Sequence, residues 1–496
     1  MGTYTYTGQG DRVGVDQYDW NQQANWSPSI PPGTPADVIN FAAGAATRNV
    51  PDNTPADELH LEFGSQISGG SFIVGSRLEI APAVLINTDI TSNGIGTVDT
   101  ASDSSEYPSI NNSHKLTNNG LLTVTGGGQF VLGGGTPVAI DNKGTITFEN
   151  AGLLWTGGSP PQLINEGTMT IVGGCLFQSG DILHSGHLNF ADGTLMVGDQ
   201  TNLHLQGGDL TGSGTLVVGG SGTSSAFLTL QVDTTLPDSL ALEVRAGAHV
   251  VFSVAAGAAE PALTITRSLL LAGDVGNAYV VARLILPTRA TLKISGMSNL
   301  LGTGDNQNGS LECAGVTMVQ PGGALDIAIG STFLNTGRVT LSDTGQITSL
   351  ASPGLLDNRG MLEKTGSGTA SLGSNVANDG HIVVRAGVLE LNGNTVISDG
   401  DLTLAGGNLA GGGQLILVGG TTGGALRGSG SVAVPVTNGG WVEPATSGMT
   451  LSQSYVQKDD GNLIVSKVDL AQGSTPLSVG GSVTLAGSLW LLEDGA

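Results

Sequence analysis

The chain has 496 residues, of which 80 are glycine and only 12% are charged, against a usual charged share of about 25%. With 17 Lys and Arg against 41 Asp and Glu, the formal net charge is −24, which excludes the clustered cations that bind nucleic acid. This much glycine disfavours helices and the 39% of apolar residues disfavours disorder, so we predict an all-β protein with many turns.

The N-terminal segment differs from the rest of the chain in its concentration of aromatic residues and proline. Trp20 and Trp26 lie just before a run with three prolines within residues 31–35. Because proline cannot donate to a β-ladder, this segment is suited to closing the end of a sheet. We predict that residues 1–55 form an N-terminal cap and first coil. Alternatively, the two tryptophans form a platform on which a sugar ring stacks.

An acidic stretch interrupts the chain between Gly94 and Lys115. Asp99, Asp103 and Glu106 bring carboxylates to a spacing at which Ca²⁺, the one cofactor candidate in the sequence, could bind. The stretch has neither the EF-hand pattern nor the glycine-rich nonapeptide calcium repeat. We therefore favour a solvated loop and expect no cofactor.

Residues 56–440 are dominated by a repeated unit of asparagine, any residue, glycine and then alternating apolar residues. The unit starts at Asn118, Asn142 and Asn165 and again, after a long gap, at Asn335, Asn358 and Asn378, with starts 20 to 24 residues apart within each group. His184 replaces the asparagine in one unit, and Lys364 replaces an apolar residue in another. Asparagine and glycine tolerate positive φ and turn the chain sharply, and the alternation after them predicts a short strand.

Repeats of this length predict a single right-handed parallel β-helix (a β-solenoid) of about 20 coils of roughly 22 residues. Strands of neighbouring coils would pair at ~4.8 Å, with equivalent side chains above one another. The repeated asparagines would then form a ladder of side-chain amides at the turns. A propeller blade needs ~40 residues and a sandwich needs no repeat, so both fit less well.

Residues suited to catalysis or metal binding are sparse in the repeats. His184 and His187 are the one close histidine pair, but residues three apart on a strand point to opposite faces, which argues against chelation. Cys175 and Cys313 are the only cysteines, and we expect two buried free thiols. The sequence therefore favours a protein without enzymatic activity.

Residues 441–496 keep strand character almost to the last residue, so we expect a truncated chain or an end that meets another subunit. The motif Leu426-Arg427-Gly428-Ser429-Gly430-Ser431-Val432, then Val436-Thr437-Asn438-Gly439-Gly440 and Pro444, resembles the C-terminal passenger motif of autotransporter-like bacterial surface proteins. The family's Pro-Gly is Pro444-Ala445 here. Similar motifs also occur in large secreted β-helix proteins that are not autotransporters.

The resemblance implies export to the bacterial cell surface or beyond, and adhesive, matrix or scaffold roles. We expect a non-enzymatic, extracellular structural or adhesive rod that stacks end to end, or with other surface chains, into filaments. Nucleic acid is not an expected partner, and no direct membrane span is expected. The alternatives are a pectin-lyase-like polysaccharide-active enzyme and a carbohydrate-binding surface protein, for which glycans would be the partners.

Overall fold

The structure is a computed structural model that describes most of the chain. The described residues are 2–7, 20, 25–27, 37–101, 107–111, 114–133, 140–156, 162–220, 225–252, 261–272, 278–281, 283–300, 310–328, 330–349, 354–420, 422–471 and 475–492. They fold into short β-strands joined by turns, with one five-residue helix.

The fold is a parallel β-solenoid of about 18 turns that lie about 22 residues apart. The predicted fold class and period are confirmed, and the number of turns is close to the 20 predicted. Some turns take up more residues than the average period. The turn that separates Ile95 from its strand partner Leu121 is one example.

The chain divides into two compact units, Met1–Ala241 and Leu242–Ala496. The division falls within the predicted repeat region, residues 56–440. The predicted boundaries at residues 55 and 440 mark changes in sequence character and stay predictions.

The strands of the first unit are two to fifteen residues long. They are β1 (Thr3–Tyr6), β2 (Trp26–Ser27), β3 (Val38–Phe41), β4 (Thr54–Leu61), β5 (Gln66–Ile80), β6 (Leu85–Ser92), β7 (Ile95–Asp99), β8 (Ser109–Ile110), β9 (Leu116–Asn118), β10 (Leu121–Thr125), β11 (Gln129–Gly133), β12 (Ile140–Asn142), β13 (Thr145–Glu149), β14 (Gly152–Thr156), β15 (Gln162–Asn165), β16 (Thr168–Gln178), β17 (Asp181–His184), β18 (His187–Val197), β19 (Asn202–Leu205), β20 (Asp209–Val218), β21 (Ala226–Leu230) and β22 (Thr234–Leu236).

The following strand, β23 (Leu240–Arg245), begins two residues before the second unit does. The second unit then contains the short helix α1 (Lys467–Ala471) and the remaining strands. They are β24 (Ala248–Phe252), β25 (Ala262–Ile265), β26 (Ser268–Ala272), β27 (Ala278–Val281), β28 (Arg283–Leu286), β29 (Thr291–Ile294), β30 (Met297–Leu300), β31 (Ser310–Cys313), β32 (Val316–Val319), β33 (Ala324–Ile327), β34 (Thr332–Asn335), β35 (Arg338–Ser342), β36 (Gln346–Thr348), β37 (Leu355–Asn358), β38 (Met361–Thr365), β39 (Thr369–Leu372), β40 (Asn375–Asn378), β41 (His381–Val384), β42 (Val388–Leu391), β43 (Thr395–Ile397), β44 (Asp401–Ala405), β45 (Asn408–Ala410), β46 (Leu415–Leu417), β47 (Ala425–Val432), β48 (Val436–Asn438), β49 (Trp441–Leu451), β50 (Tyr455–Gln457), β51 (Asn462–Ser466), β52 (Leu477–Val479), β53 (Val483–Thr484) and β54 (Ser488–Leu492).

A typical turn consists of three strands, each paired in parallel with its equivalent one turn later. In the first unit β10, β11 and β12 pair with β13, β14 and β15. In the second unit β35, β36 and β37 pair with β38, β39 and β40. Among the described pairings, that of β1 with β2 is the one antiparallel pair.

Alternating burial along each strand separates a core from an outer surface. In β13, Ile146 and Phe148 are fully buried while the threonines beside them stay partly exposed. In β35, Val339 and Leu341 occupy the same inward positions. Each fully buried side chain of this size contributes about 1.5–3 kcal/mol. The alternation predicted from the sequence therefore fixes which side chains form the outer surface.

The glycine of the repeated unit allows neighbouring turns to approach closely. At Gly144, Gly167 and Gly360 an added Cβ would lie 2.1 Å from the carbonyl oxygen of the equivalent glycine one turn earlier. The backbone at these glycines and at the preceding asparagines is not left-handed. Tolerance of positive φ is therefore the wrong explanation for the repeated pair, and close stacking of the turns is the correct one for the glycine.

Candidate functional surface

The repeated asparagines of the first unit lie above one another inside the solenoid. Asn118 Nδ2 donates to Asn142 Oδ1 at 2.7 Å, and Asn142 Nδ2 donates to Asn165 Oδ1 at 2.6 Å. All three side chains are fully buried. Each amide also donates to a backbone carbonyl near the start of a following strand, as Asn118 does to Thr145 O at 2.8 Å. We call this set, together with His184, the first asparagine row.

The second unit has the same arrangement. Asn335 Nδ2 donates to Asn358 Oδ1 at 2.6 Å, and Asn358 Nδ2 donates to Asn378 Oδ1 at 2.5 Å. We call these residues the second asparagine row, which is also fully buried. Both rows run in one direction, with the NH₂ group facing the later turn. The sequence placed these six asparagines at the turns, and the strand register brings them together.

His184 ends the first asparagine row. Its Nδ1 lies 3.0 Å from Asn165 Nδ2 and must be unprotonated to accept that hydrogen bond. Burial lowers the pKa of His184 to about 4, although contact with Asp209 acts in the opposite direction. His184 is therefore a neutral structural residue, whereas His187 lies partly exposed on the outer surface. The predicted separation of the two histidines agrees with this placement.

Trp20 and Trp26 lie in an aromatic cluster near the start of the chain. Each is 2% exposed, and their rings meet edge to face with centroids 4.6 Å apart. Tyr6, Phe41 and Phe72 pack against them. Both indole rings are covered, which leaves neither ring face free to stack on a sugar, and the cap itself stays a prediction.

The outward side chains of the first unit form a continuous polar row. Nine successive turns each contribute one residue to this row, and the residues are in register. They are Asn40, His60, Glu79, Thr97, Thr123, Thr147, Thr170, Asn189 and Thr211. We call this the outer row, and none of its members is buried. Neighbouring strands bring equivalent groups to a spacing of ~4.8 Å. The outer row is thus a regular array of amide and hydroxyl groups with two ionisable members.

A cavity of about 340 Å³ opens beside the early part of the outer row. It is lined by the polar side chains of Asn40, His60, Glu62, Glu79, Thr97 and Asp99, with Leu61, Ile80 and Ala81. His60 Nδ1 lies 2.5 Å from Glu79 Oε2, and its Nε2 lies 3.0 Å from Glu58 Oε2. Burial raises the pKa of Glu79, but contact with His60 and Arg77 outweighs it and the pKa is lower than usual.

The predicted calcium ligands are only partly described. Asp99 is exposed and accepts a hydrogen bond from the Ala101 backbone N–H, whereas Asp103 and Glu106 lie outside the described residues. Within the described part of the chain, no group of three or more His, Cys, Asp or Glu side chains is arranged to hold a metal ion. The calcium site therefore stays an untested expectation.

In the second unit, two neighbouring ionisable residues are buried, and both are hydrogen bonded to other parts of the chain. Glu363 is almost completely buried and hydrogen bonds to Arg338 and Arg385, from the turns before and after it. Burial raises its pKa, but the two arginines outweigh this effect and the pKa is lower than usual. Lys364 points inward and donates to Thr365 O and Gly366 O at 2.6 and 2.8 Å. Its burial lowers its pKa.

Most of these cross-turn groups were not predicted from the sequence. Their members lie about one period apart, so that His187, for example, meets Asp209 on the next turn. Aligning the repeats on the inferred register would have revealed such pairs. Composition and local motifs do not, because neither relates positions in neighbouring turns.

Cys175 and Cys313 are buried and free, as predicted, and burial raises the pKa of both thiols. In the described part of the chain, no helix has the length and apolar character needed to cross a lipid bilayer.

Comparison with protein-family models, with curated proteins and with solved structures finds no significant match for this chain. The resemblance to autotransporter-like passengers consequently depends on the turn and strand motifs alone.

Proposed function

We propose that the protein is a non-enzymatic structural and adhesive scaffold of the bacterial cell surface. The observation that best supports this role is the outer row, in which nine successive turns present polar side chains in register. A surface that repeats at the strand spacing suits many weak contacts with a partner that also repeats. The passenger-like motif supports export to the surface.

The proposal includes assembly of the scaffold end to end or with other surface chains.

Electron microscopy and a cell-retention assay test the proposal together. We expect the purified protein to form rods or filaments and to remain on cell or matrix surfaces after washing. Changing Thr123, Thr147 and Thr170 together to valine keeps β-propensity but removes three outer-row hydroxyls, so retention should fall. The matched control changes Thr332, Thr340 and Thr403 to valine. These threonines are also partly exposed but lie outside the outer row. Compact particles, or equal retention of both variants, would overturn the proposal.

The cavity beside the outer row favours a second candidate, a polysaccharide-active enzyme or carbohydrate-binding protein. Glu62, Glu79 and Asp99 provide three carboxylates in this cavity, and most glycosidases use a pair of carboxylates. A polysaccharide panel assayed with and without Ca²⁺ separates this candidate from the scaffold. Turnover that is abolished by Glu79→Gln or Asp99→Asn would favour the enzyme.

A further inference from the structure

Two neighbouring turns of the first unit bring together a hydroxyl, an imidazole and a carboxylate, and the imidazole lies between the other two groups. Thr211 Oγ1 lies 3.1 Å from His187 Nε2, and His187 Nδ1 is hydrogen bonded to Asp209 Oδ1. The side chains of His187 and Asp209 are 39% and 63% exposed, so solutes can reach them. We call these three residues the Thr-His-Asp group.

The order of the contacts determines what each member can do. A carboxylate at Nδ1 favours the tautomer with its proton on that nitrogen, which leaves Nε2 as the acceptor for the Thr211 hydroxyl. A nucleophile bonded to a base that is oriented by a third group is the arrangement used for nucleophilic catalysis. Asp209 is here a positioning residue, because it acts through His187.

Asn189 places a second acceptor beside the hydroxyl. Thr211 Oγ1 donates to Asn189 Oδ1 at 3.2 Å and lies 3.1 Å from His187 Nε2. A hydroxyl has one proton and rotates about its C–O bond, so the proton turns from Asn189 to His187 before it is transferred. Asn189 therefore holds Thr211 Oγ within reach of the imidazole.

The strands that carry the group are firmly packed. Leu188 and Phe190, which flank Asn189, are fully buried. At Gly212, whose φ is +85°, an added Cβ would lie 1.9 Å from Phe190 O, so the two backbones are in close contact. A register shift between Ala191 and Gly193 bends the strand next to the group. Both sides of the Thr-His-Asp group therefore have fixed backbones.

We propose that the Thr-His-Asp group transfers the acyl group of small carboxylic esters to water. Thr211 Oγ attacks the ester carbonyl, and its proton passes to His187 Nε2 and then to the leaving alcohol as the ester C–O bond breaks. Water, deprotonated by His187, then attacks the acyl-threonine, and the proton returns to Thr211 Oγ. Because the group lies on the open outer row, it suits short acyl groups, such as acetyl, carried by a polyhydroxylated polymer.

This inference goes beyond the scaffold function and replaces, at this one site, the expectation of no catalysis. Its readout is the hydrolysis of a small ester, which is measured separately from filament formation and adhesion.

The test uses the full chain, p-nitrophenyl acetate and a fluorophosphonate probe. We expect ester hydrolysis above that of free imidazole at equal concentration, and a probe adduct on Thr211 by mass spectrometry. Thr211→Val, which is isosteric, should lower the rate by about 100-fold, while Thr211→Ser keeps it. Asp209→Asn should lower kcat and leave KM unchanged.

Thr340→Val is the matched control, because Thr340 is a partly exposed strand threonine that lies outside both the outer row and the Thr-His-Asp group. It should hydrolyse the ester at the wild-type rate. Circular dichroism shows whether each variant retains its β-structure. Wild-type rates in a folded Thr211→Val, an adduct on another residue, or hydrolysis no faster than free imidazole would overturn the proposal.

Discussion

Each interior member of an asparagine row uses its side-chain amide in two directions. Asn142 accepts from Asn118 and donates to Asn165, so one residue satisfies groups on the turns before and after its own. The direction is uniform, and the final acceptor of the first row is the imidazole of His184. A protonated His184 would present a donor to the donor group of Asn165. The row is thus compatible only with the neutral form.

His184→Asn should therefore reduce the acid sensitivity of the protein. The pKa of His184 is about 4 in the folded protein against an ordinary value of 6.5, so the unfolded chain takes up this proton first as the pH falls. The contribution of neutral His184 to the free energy of unfolding is fully present above pH 6.5 and is lost as the pH falls towards 4. The total loss is roughly 3 kcal/mol.

Denaturant-induced unfolding at pH 7.5 and pH 4.5 measures this difference. The loss of stability between these pH values should be smaller in His184→Asn than in the wild type. Ser185→Asn, at the exposed residue next to His184, adds no titratable group and is the control that should behave as the wild type does. Equal pH dependence of His184→Asn and the wild type would contradict the account.

Gly360→Ala tests the close approach of the turns. An added Cβ would lie 2.1 Å from Gly337 O, which is backbone and cannot move without displacing its turn. We expect a loss of about 3 kcal/mol in the free energy of unfolding. At Gly412 nothing lies within 4 Å of the added Cβ, so Gly412→Ala should be neutral or stabilising by about 0.5 kcal/mol. Thermal unfolding compares the two, and similar midpoints would refute the stacking explanation.

At the scale of the strand, replacing an asparagine of the second asparagine row should lower the free energy of unfolding more than replacing an asparagine outside the row on a neighbouring strand. Asn358→Ala removes hydrogen bonds to both Asn335 and Asn378 and leaves their buried polar atoms without these partners. We expect a cost of about 3 kcal/mol. Asn375, on β40, accepts one hydrogen bond from Asn394 N and is not buried. Asn375→Ala should cost less than about 1 kcal/mol, and equal losses in guanidinium unfolding would contradict a role for the row.

The strands were largely predictable from the sequence because they depend on local alternation. Ile146-Thr147-Phe148 and Val339-Thr340-Leu341 each show the inward and outward pattern that the structure has. The groups that join turns were not predictable in the same way. Arg338, Glu363 and Arg385 come from three turns, and their meeting depends on loop lengths that set the register.

For the whole molecule, the repeat period predicted a parallel solenoid, and the structure has one of about 18 turns. The glycine content and scarcity of charge had already excluded most other folds. Function was less predictable, because the motifs that repeat are those of turns and strands. The candidate sites consist of outward residues, such as His187 and Thr211, whose identity the fold does not determine.

Distances between spin labels along the outer row test most directly whether the turns stack in register. Pairs joining residue 40 to residue 123, 147 or 170 span four, five and six turn-to-turn steps. Parallel stacking predicts separations of about 19, 24 and 29 Å between the labelled backbones. Cys175 and Cys313 are buried and should stay unlabelled. Distances that rise by about 5 Å per step would agree with the structure, and distances that fail to rise in this order would contradict it.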